Sequence, residues 1–306
     1  MSRLAITGIT GKNGKYLWKH ISENRDTVLN KWTGIKCLIR DIGKTDFMNL
    51  SGSIPVEFIT GNAHDEQCTD KLLEDCDTVL HIAGIDKSLN IMHSAIRNKT
   101  GRVILVHTTG IYSRYKAAGE EYRRIEEEVY RLAREHGIAL TILRPTMIYG
   151  TLNDRNVAAF IKLVDKFRVV PTVNGGHYAL QPVHCADLGK AFYQVLMNPE
   201  ICNGNDYVLS GGAPIELREM LEVIAENLGV KRRYISCPFP VAYVGAWGLY
   251  LLTLRKKDYR EKVQRLCEPR AYSFEKAAHD FGYCPREFRE GITGEVQDYL
   301  EHTRAK

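Results

Sequence analysis

The chain has 306 residues, 44% of them hydrophobic and 26% charged, with 42 basic against 37 acidic side chains and a formal net charge of +5. That balance excludes a disordered or fibrous polymer and suits a globular protein with room for one large or two modest domains. The basic residues are mixed along the chain without a polybasic tail or a nucleic-acid module, so the positive excess fits small anionic ligands such as nucleotides better than nucleic acid.

The chain opens directly on a strand-like run, Leu4–Thr7, with no charged-then-apolar leader, so export is not expected and a cytoplasmic location is. That run breaks into Thr7-Gly8-Ile9-Thr10-Gly11-Lys12-Asn13-Gly14, and a helix follows over Asn13–Asn24. Glycines three apart between a strand and a helix permit a tight turn and close backbone approach, and the helix N-terminus aims N–H groups at a phosphate. Further strands are expected at Ile35–Ile39, Val56–Thr60, Thr78–Ile82, Val103–His107 and Ala139–Leu143. Helices are expected between them at Asp65–Leu73, Leu89–Asn98 and Glu120–Glu135, the last with Ile125, Val129 and Leu132 at helical spacing. This alternation specifies an α/β fold of Rossmann type, a doubly wound parallel sheet with a smaller C-terminal substrate lobe.

After Gly150 the pattern loosens. A helix at Ala186–Met197 and a strand at Tyr207–Leu209 are expected to rejoin the sheet, giving a dinucleotide-binding domain of 1–150 with 183–210. The substrate lobe would be 151–182 and 211–306, with a helix at Leu217–Leu228 stopped by Gly229. The longest apolar stretch, Phe239 to Leu254, ends in Arg255-Lys256-Lys257 and is too short to span a membrane. A buried or partly exposed helix is the expectation there, with attachment to a membrane surface the less favoured alternative. The eight cysteines are scattered singly, without the paired spacing of a zinc site or a disulfide framework, so no metal is expected.

Taken in order, several segments resemble the extended and atypical short-chain dehydrogenase/reductases, and within them the NAD(P)-dependent nucleotide-sugar epimerase/dehydratase family. They are the glycine turn, Gly61-Asn62-Ala63-His64-Asp65, Asp77 through Gly84, Thr108-Thr109-Gly110-Ile111-Tyr112, Leu143-Arg144-Pro145-Thr146-Met147-Ile148-Tyr149-Gly150, and Gln181 through Leu188. The resemblance implies that Gly8, Thr10, Gly11, Lys12, Asn13 and Gly14 surround a pyrophosphate. Ala83 and Gly84 would pass beneath the adenosine ribose, Asn62 and Ala63 would border the adenine, and Pro145, Thr146 and Met147 would neighbour the nicotinamide. Asn62 departs from the family's usual Asp. The second strand ends in Arg40-Asp41, which offers both a partner for a 2′-phosphate and one for a 2′-hydroxyl. With Lys12 nearby, the reading leans to NADP over NAD.

The catalytic positions depart further. The resemblance places Thr108 at the family's hydroxyl position and Tyr122 at its general-base tyrosine, and position 126 then holds Glu where the family has Lys. A phenol needs about 4 kcal/mol of help to ionise near neutrality, and a carboxylate one helical turn away opposes it. Four accounts stay open. Tyr122 acts as a neutral donor; another cation, Lys116, Arg97 or the oxidised nicotinamide, replaces the lysine; Glu126 itself transfers the proton; or turnover is lost. A literal Tyr-x-x-x-Lys at Tyr112–Lys116 lies at the strand exit and is read as coincidence. His184 and Asp187 are read as structural, and Arg155, His177, Tyr178, Arg270 and Tyr272 as lobe residues facing substrate or solvent.

The leading expectation is an NAD(P)-dependent oxidoreductase or epimerase-like enzyme acting by hydride transfer on a nucleotide-activated sugar, with Thr108, Tyr122 and Glu126 as its catalytic candidates. Its rival is a catalytically silent dinucleotide-binding sensor or scaffold. Nucleic acid and membrane contact are not expected. The helix Glu120–Glu135 is either a homodimer face or a solvated one.

Overall fold

A computed structural model describes residues 2–48, 54–115, 117–154, 156–256 and 258–304. Seven short runs build one parallel sheet: β1 (Arg3–Thr7), β2 (Ile35–Ile39), β3 (Val56–Thr60), β4 (Cys76–His81), β5 (Arg102–Val106), β6 (Ala139–Pro145) and β7 (Asp206–Leu209). Their spatial order is β7-β6-β5-β4-β1-β2-β3. Neighbours run parallel throughout. Strands β2 and β5 are buried at every position, which is why both are mostly apolar rather than alternating; the exceptions, Lys36 and Arg102, donate to backbone carbonyls. The order reverses at β1, between β2 and β4, and a crevice opens outside the carboxyl ends of strands at such a point.

Helices α1 (Lys12–Glu23), α2 (Glu66–Leu73), α3 (Ser88–Arg97), α4 (Gly119–His136) and α6 (Cys185–Met197) cover the sheet's two faces, while α5 (Val157–Lys166) lies beyond it in the lobe. Helix α1 buries Leu17, Trp18 and Ile21, one stripe at helical spacing, and packs closely on α6. Leu17 is fully buried there, so truncating it to alanine would cost about 2–5 kcal/mol. On the opposite face α2, α3 and α4 join Ile91, Val103, Val129 and Leu140 in a second core.

Beyond β6 the chain leaves the sheet for α5, returns through α6 and β7, and leaves again for α7 (Leu217–Leu228), which stops at Gly229 in the left-handed conformation. A third core joins Ile161 and Val164 of α5, Met220 and Ile224 of α7, and Ile292 and Val296 of the C-terminal helix Phe288–Arg304. The expected elements fall within a few residues of their observed bounds. The lobe's small strands, Val169–Val173 paired with Arg233–Cys237, carry no turn signature strong enough to announce them.

Candidate active site

The turn after β1 forms one wall of a cavity of about 630 Å³. Gly8 takes φ +77°, and a Cβ there would lie 3.1 Å from the Ala83 nitrogen; one on Gly14 would meet the Gly8 and Ile9 carbonyl oxygens at 2.4 Å. Gly8 therefore lets the β1 and β4 exits approach each other, while Gly14 seats α1 on the turn and does not itself line the cavity. Gly8, Thr10, Gly11, Lys12, Asn13, Arg40, Asn62, Ala63, Ala83 and Gly84 all do. No side chain caps the start of α1, so its first N–H groups and dipole are directed at the cavity. Asn13 Oδ1 is buried without a hydrogen-bond partner among the described residues, an acceptor that a sugar hydroxyl would satisfy. The turn thus fits a dinucleotide pyrophosphate on its own geometry.

His81 locks the rim. It is fully buried, its Nε2–H donates to the Gly84 carbonyl at 2.9 Å, and its Nδ1 accepts from the Thr7 hydroxyl at 2.7 Å. Burial holds the imidazole down at about 4, so it is neutral and orients the Gly84 turn. At the opposite end Arg40 and Lys44 line the cavity, whereas the Asp41 carboxylate does not: its Oδ1 caps the turn at the Gly43 N–H, 3.0 Å away, and its Oδ2 stands 3.9 Å from Lys44 Nζ. No carboxylate is among the residues lining this cavity. Lys44, three residues past the strand motif, carried no signal of its own in the sequence.

A second cavity, also about 630 Å³, continues from the first through Lys12, Asn13, Ile82 and Gly84. Thr108, Tyr122, Pro145, Thr146 and Met147 line it, so the structure gathers the expected hydroxyl, phenol and β6-exit residues in one place. The Thr108 oxygen accepts from the Gly110 N–H at 3.0 Å, fixing its rotamer. Burial pushes the Tyr122 phenol above its ordinary value, and Asp86, Glu121 and Glu261 push the same way, so it stays protonated. Lys12 stands at the junction of the cavities, lowered by burial against opposing Asp154, Cys185 and Glu295. Burial and a hydrogen bond with Asp154 raise Glu295 to about 9, so that carboxyl is neutral near pH 7.

Glu126 is the correction. It falls on the buried stripe of α4 with Tyr122, Ile125 and Val129, is only 5% exposed, and lies outside both cavities. Its Oε2 accepts from Arg144 Nη2 at 2.7 Å and its Oε1 from His107 Nδ1–H at 2.9 Å. His107 Nε2 in turn accepts from the Ser88 hydroxyl at 2.9 Å, and Arg144 reaches on to Asp206. Burial raises Glu126, but the His107 and Arg144 hydrogen bonds outweigh it and hold the carboxyl below its ordinary range. Glu126 is therefore an ionised brace between α4, β5 and β6, not a proton donor facing the cleft. Its place beside Ile125 on the helix was a signal of burial, while the pairing with Arg144 carried none.

Of the cations named as replacements, the structure places Arg97 elsewhere. Arg97 is committed to Asp70, with Nε 3.0 Å from both carboxylate oxygens, and lines neither cavity; Lys116 and Arg155 lie outside the described residues. Tyr112 is 45% exposed and rests on Tyr272, outside the lining of either cavity. His184 Nδ1 caps α6 at the Ala186 N–H, Asp187 holds the Arg286 guanidinium and N–H, and His177 pairs with Glu216 at the surface. Two arginines do enter the second cavity: Arg270, held by its N–H on the Ala179 carbonyl, and Arg265 of the helix Arg260–Arg265. The Nε of each is buried without a hydrogen-bond partner among the described residues, and burial lowers Arg270 to about 10. Arg265 was not singled out from the sequence, where it sits in a basic stretch like any surface helix.

No protein-family profile matches the chain. It is 27% identical over 173 residues, 54% of this chain and 52% of the relative, to a 2-alkyl-3-oxoalkanoate reductase of Stenotrophomonas maltophilia. It is 25% identical over 264 residues, 78% of this chain and 66% of the relative, to NADH dehydrogenase (ubiquinone) 1 alpha subcomplex subunit 9, mitochondrial, of Dictyostelium discoideum. The chain spans about half the length of the first of these relatives. Its fold matches the crystal structure of a dTDP-glucose 4,6-dehydratase from Streptomyces venezuelae with NAD and TYD bound, with TM-score 0.71 and 17% identity over 99% of this chain and 98% of that one. The likeness is one of fold, a Rossmann-like parallel sheet with helices on both faces, and that dehydratase was crystallised with NAD bound.

Proposed function

We propose that the chain is an NADPH-dependent ketone reductase whose substrate carries an anionic group. The observation that carries this reading is that Arg265 and Arg270, each with a buried Nε that has no hydrogen-bond partner among the described residues, line the same cavity as Thr108 and Tyr122. A buried donor left unsatisfied costs about 1–3 kcal/mol, more when charged, and a phosphate or carboxylate relieves that cost with charge-assisted bonds. The lobe 151–182 with 211–306 supplies this anion side. A nucleotide-activated sugar, through its diphosphate, is the substrate class that the sequence favours.

The dinucleotide would lie along the first cavity, its pyrophosphate at Gly8, Gly11 and Lys12, and reach past Lys12 and Gly84 into the second, its ring end beside Pro145, Thr146 and Met147. Arg40 and Lys44, with no lining carboxylate opposite, suit a ribose 2′-phosphate over a free hydroxyl. Reduced nicotinamide supplies a hydride equivalent when bound. Thr108, whose oxygen already accepts from Gly110, has its hydroxyl proton left to orient a substrate carbonyl oxygen. Tyr122 donates its proton to that oxygen as the carbonyl carbon is reduced, and a phenol held protonated is suited to this direction rather than to taking a proton from an alcohol. The absence of a lysine at position 126 is then consistent with reduction.

The test measures consumption of NADPH, by loss of reduced-nicotinamide absorbance, against nucleotide 4-keto sugars and 3-oxoacids of different chain length. Turnover is expected, with Arg270→Ala raising KM for the anionic ketone while leaving NADPH affinity within about twofold. Tight NADPH binding without turnover on any ketone would overturn the reductase reading. Equal turnover of uncharged ketones by the parent chain would overturn the anionic substrate.

A further inference from the structure

The densest group of exposed apolar side chains among the described residues lies on the helix Phe239–Leu252, α8, and the turn that follows it. Val241, Val244, Trp247, Leu249, Leu251, Leu252 and Leu254 are 41–84% exposed, and Ala246 alone of the helix is buried. Val241, Val244, Leu251 and Leu252 fall on one stripe, at i, i+3, i+10 and i+11, with the small Gly245 and Gly248 between them. The other side is held by the helix Arg260–Arg265, α9, whose Arg260 guanidinium lies 4.2 Å over the rings of both Trp247 and Tyr250. The helix ends in two successive left-handed residues, Leu254 at φ 49° and Arg255 at φ 66°. That turn leaves Leu254 81% exposed beside Arg255 and Lys256. From Pro238 through Lys257 the sequence contains no Asp or Glu.

We propose that α8 docks this protein on an anionic phospholipid surface, lying in the plane of the interface. A 14-residue helix is about 21 Å long, short of the ~30 Å hydrocarbon core, and no described helix is long and apolar enough to cross a membrane. An apolar stripe with a basic end matches an acyl boundary beneath anionic headgroups. A second copy of the chain seated on the same face would offer α8 only another apolar stripe and no carboxylate for Arg255 and Lys256, so charge complementarity favours lipid. Helix α9 joins this surface to the cleft, because Arg265 at its far end lines the second cavity. Docking of α8 does not depend on the reductase reading.

The experiment floats the full chain with vesicles of equimolar phosphatidylcholine and phosphatidylglycerol, and with phosphatidylcholine alone. Of the three tryptophans, Trp18 and Trp32 are each 4% exposed and Trp247 is 41% exposed, so intrinsic fluorescence reports on α8. Association with the anionic vesicles is expected, with a blue shift of Trp247 emission, and about tenfold weaker association with phosphatidylcholine alone. Val244→Glu with Leu252→Glu, both on exposed positions, is expected to weaken association at least about tenfold at an unchanged melting temperature. No association with anionic vesicles, or equal association of the double variant, would overturn the proposal. So would a dimer in analytical ultracentrifugation that the double variant dissociates, since the face would then belong to a second copy.

Discussion

Replacing Glu126 by Lys creates the Tyr-x-x-x-Lys spacing that the sequence resemblance implies and tests what that position does. Glu126 and Arg144 have side chains 7% and 5% exposed, with Nη2 and Oε2 2.7 Å apart. Removing one partner of a buried ion pair costs about 3–5 kcal/mol, because the other charge is left without compensation. Arg144 keeps Asp206, which is 48% exposed, so Glu126→Gln should sit near the lower end, about 3 kcal/mol. Glu126→Lys adds repulsion between two cations about 4 Å apart, a further ~4 kcal/mol at an effective dielectric constant of about 20. For a chain of this size each kcal/mol moves Tm by about 2–4 °C, so Glu126→Gln should melt about 10 °C lower and Glu126→Lys lower still. The sign with pH follows from the depressed carboxyl. Its stabilisation is full above the ordinary value of 4.5 and is lost as pH falls through the folded value, so parent and Glu126→Gln should converge in acid. Thermal and urea unfolding across pH measure both. A Glu126→Lys variant that melts with the parent and turns over faster would refute the brace and make position 126 catalytic.

Three further outcomes follow from the site. Arg40→Ser with Lys44→Ser should weaken NADPH binding about tenfold to a hundredfold, two charge-assisted bonds' worth, and leave NADH binding within about twofold, as titration calorimetry would show; equal losses for both would remove the 2′-phosphate assignment. Tyr122→Phe should lower kcat by about 10²–10⁴-fold with little change in KM, and no acid-to-base loss of parent activity should occur below the ordinary phenol value of 10, since burial raises it. His81 is held at about 4 against an ordinary 6.5, so its neutral form stabilises the fold fully above 6.5. That contribution, at most about 3 kcal/mol, is lost as pH falls from 6.5 toward 4. A urea midpoint that stays flat through that window, or a slope that His81→Gln leaves intact, would contradict it.

Much of the scaffold was legible in the chain because its signals are local. The glycine turn needs a left-handed Gly8 and a side-chain-free Gly14 whatever the rest of the protein does, and alternating apolar runs and amphipathic helices specify parallel strands with covered faces. The lining of the first cavity by Gly8, Thr10, Gly11, Lys12, Asn13, Arg40, Asn62, Ala63, Ala83 and Gly84 follows from where those loops must lie, at the strand ends. The site's electrostatics were not legible in the same way. Glu126 on the α4 stripe was certain to be buried, but whether a buried carboxylate faces a cleft or a core cation depends on Arg144, which reaches it only when β6 packs beside β5. Arg265 and Arg270 lie more than 140 residues from Thr108 in the chain and meet it only through the lobe's docking. Periodicity identifies which face of a helix is apolar, and by that rule Phe239–Leu252 belongs inside. Its exposure was decided by tertiary packing alone, since burial requires a partner surface and α9 covers only one side.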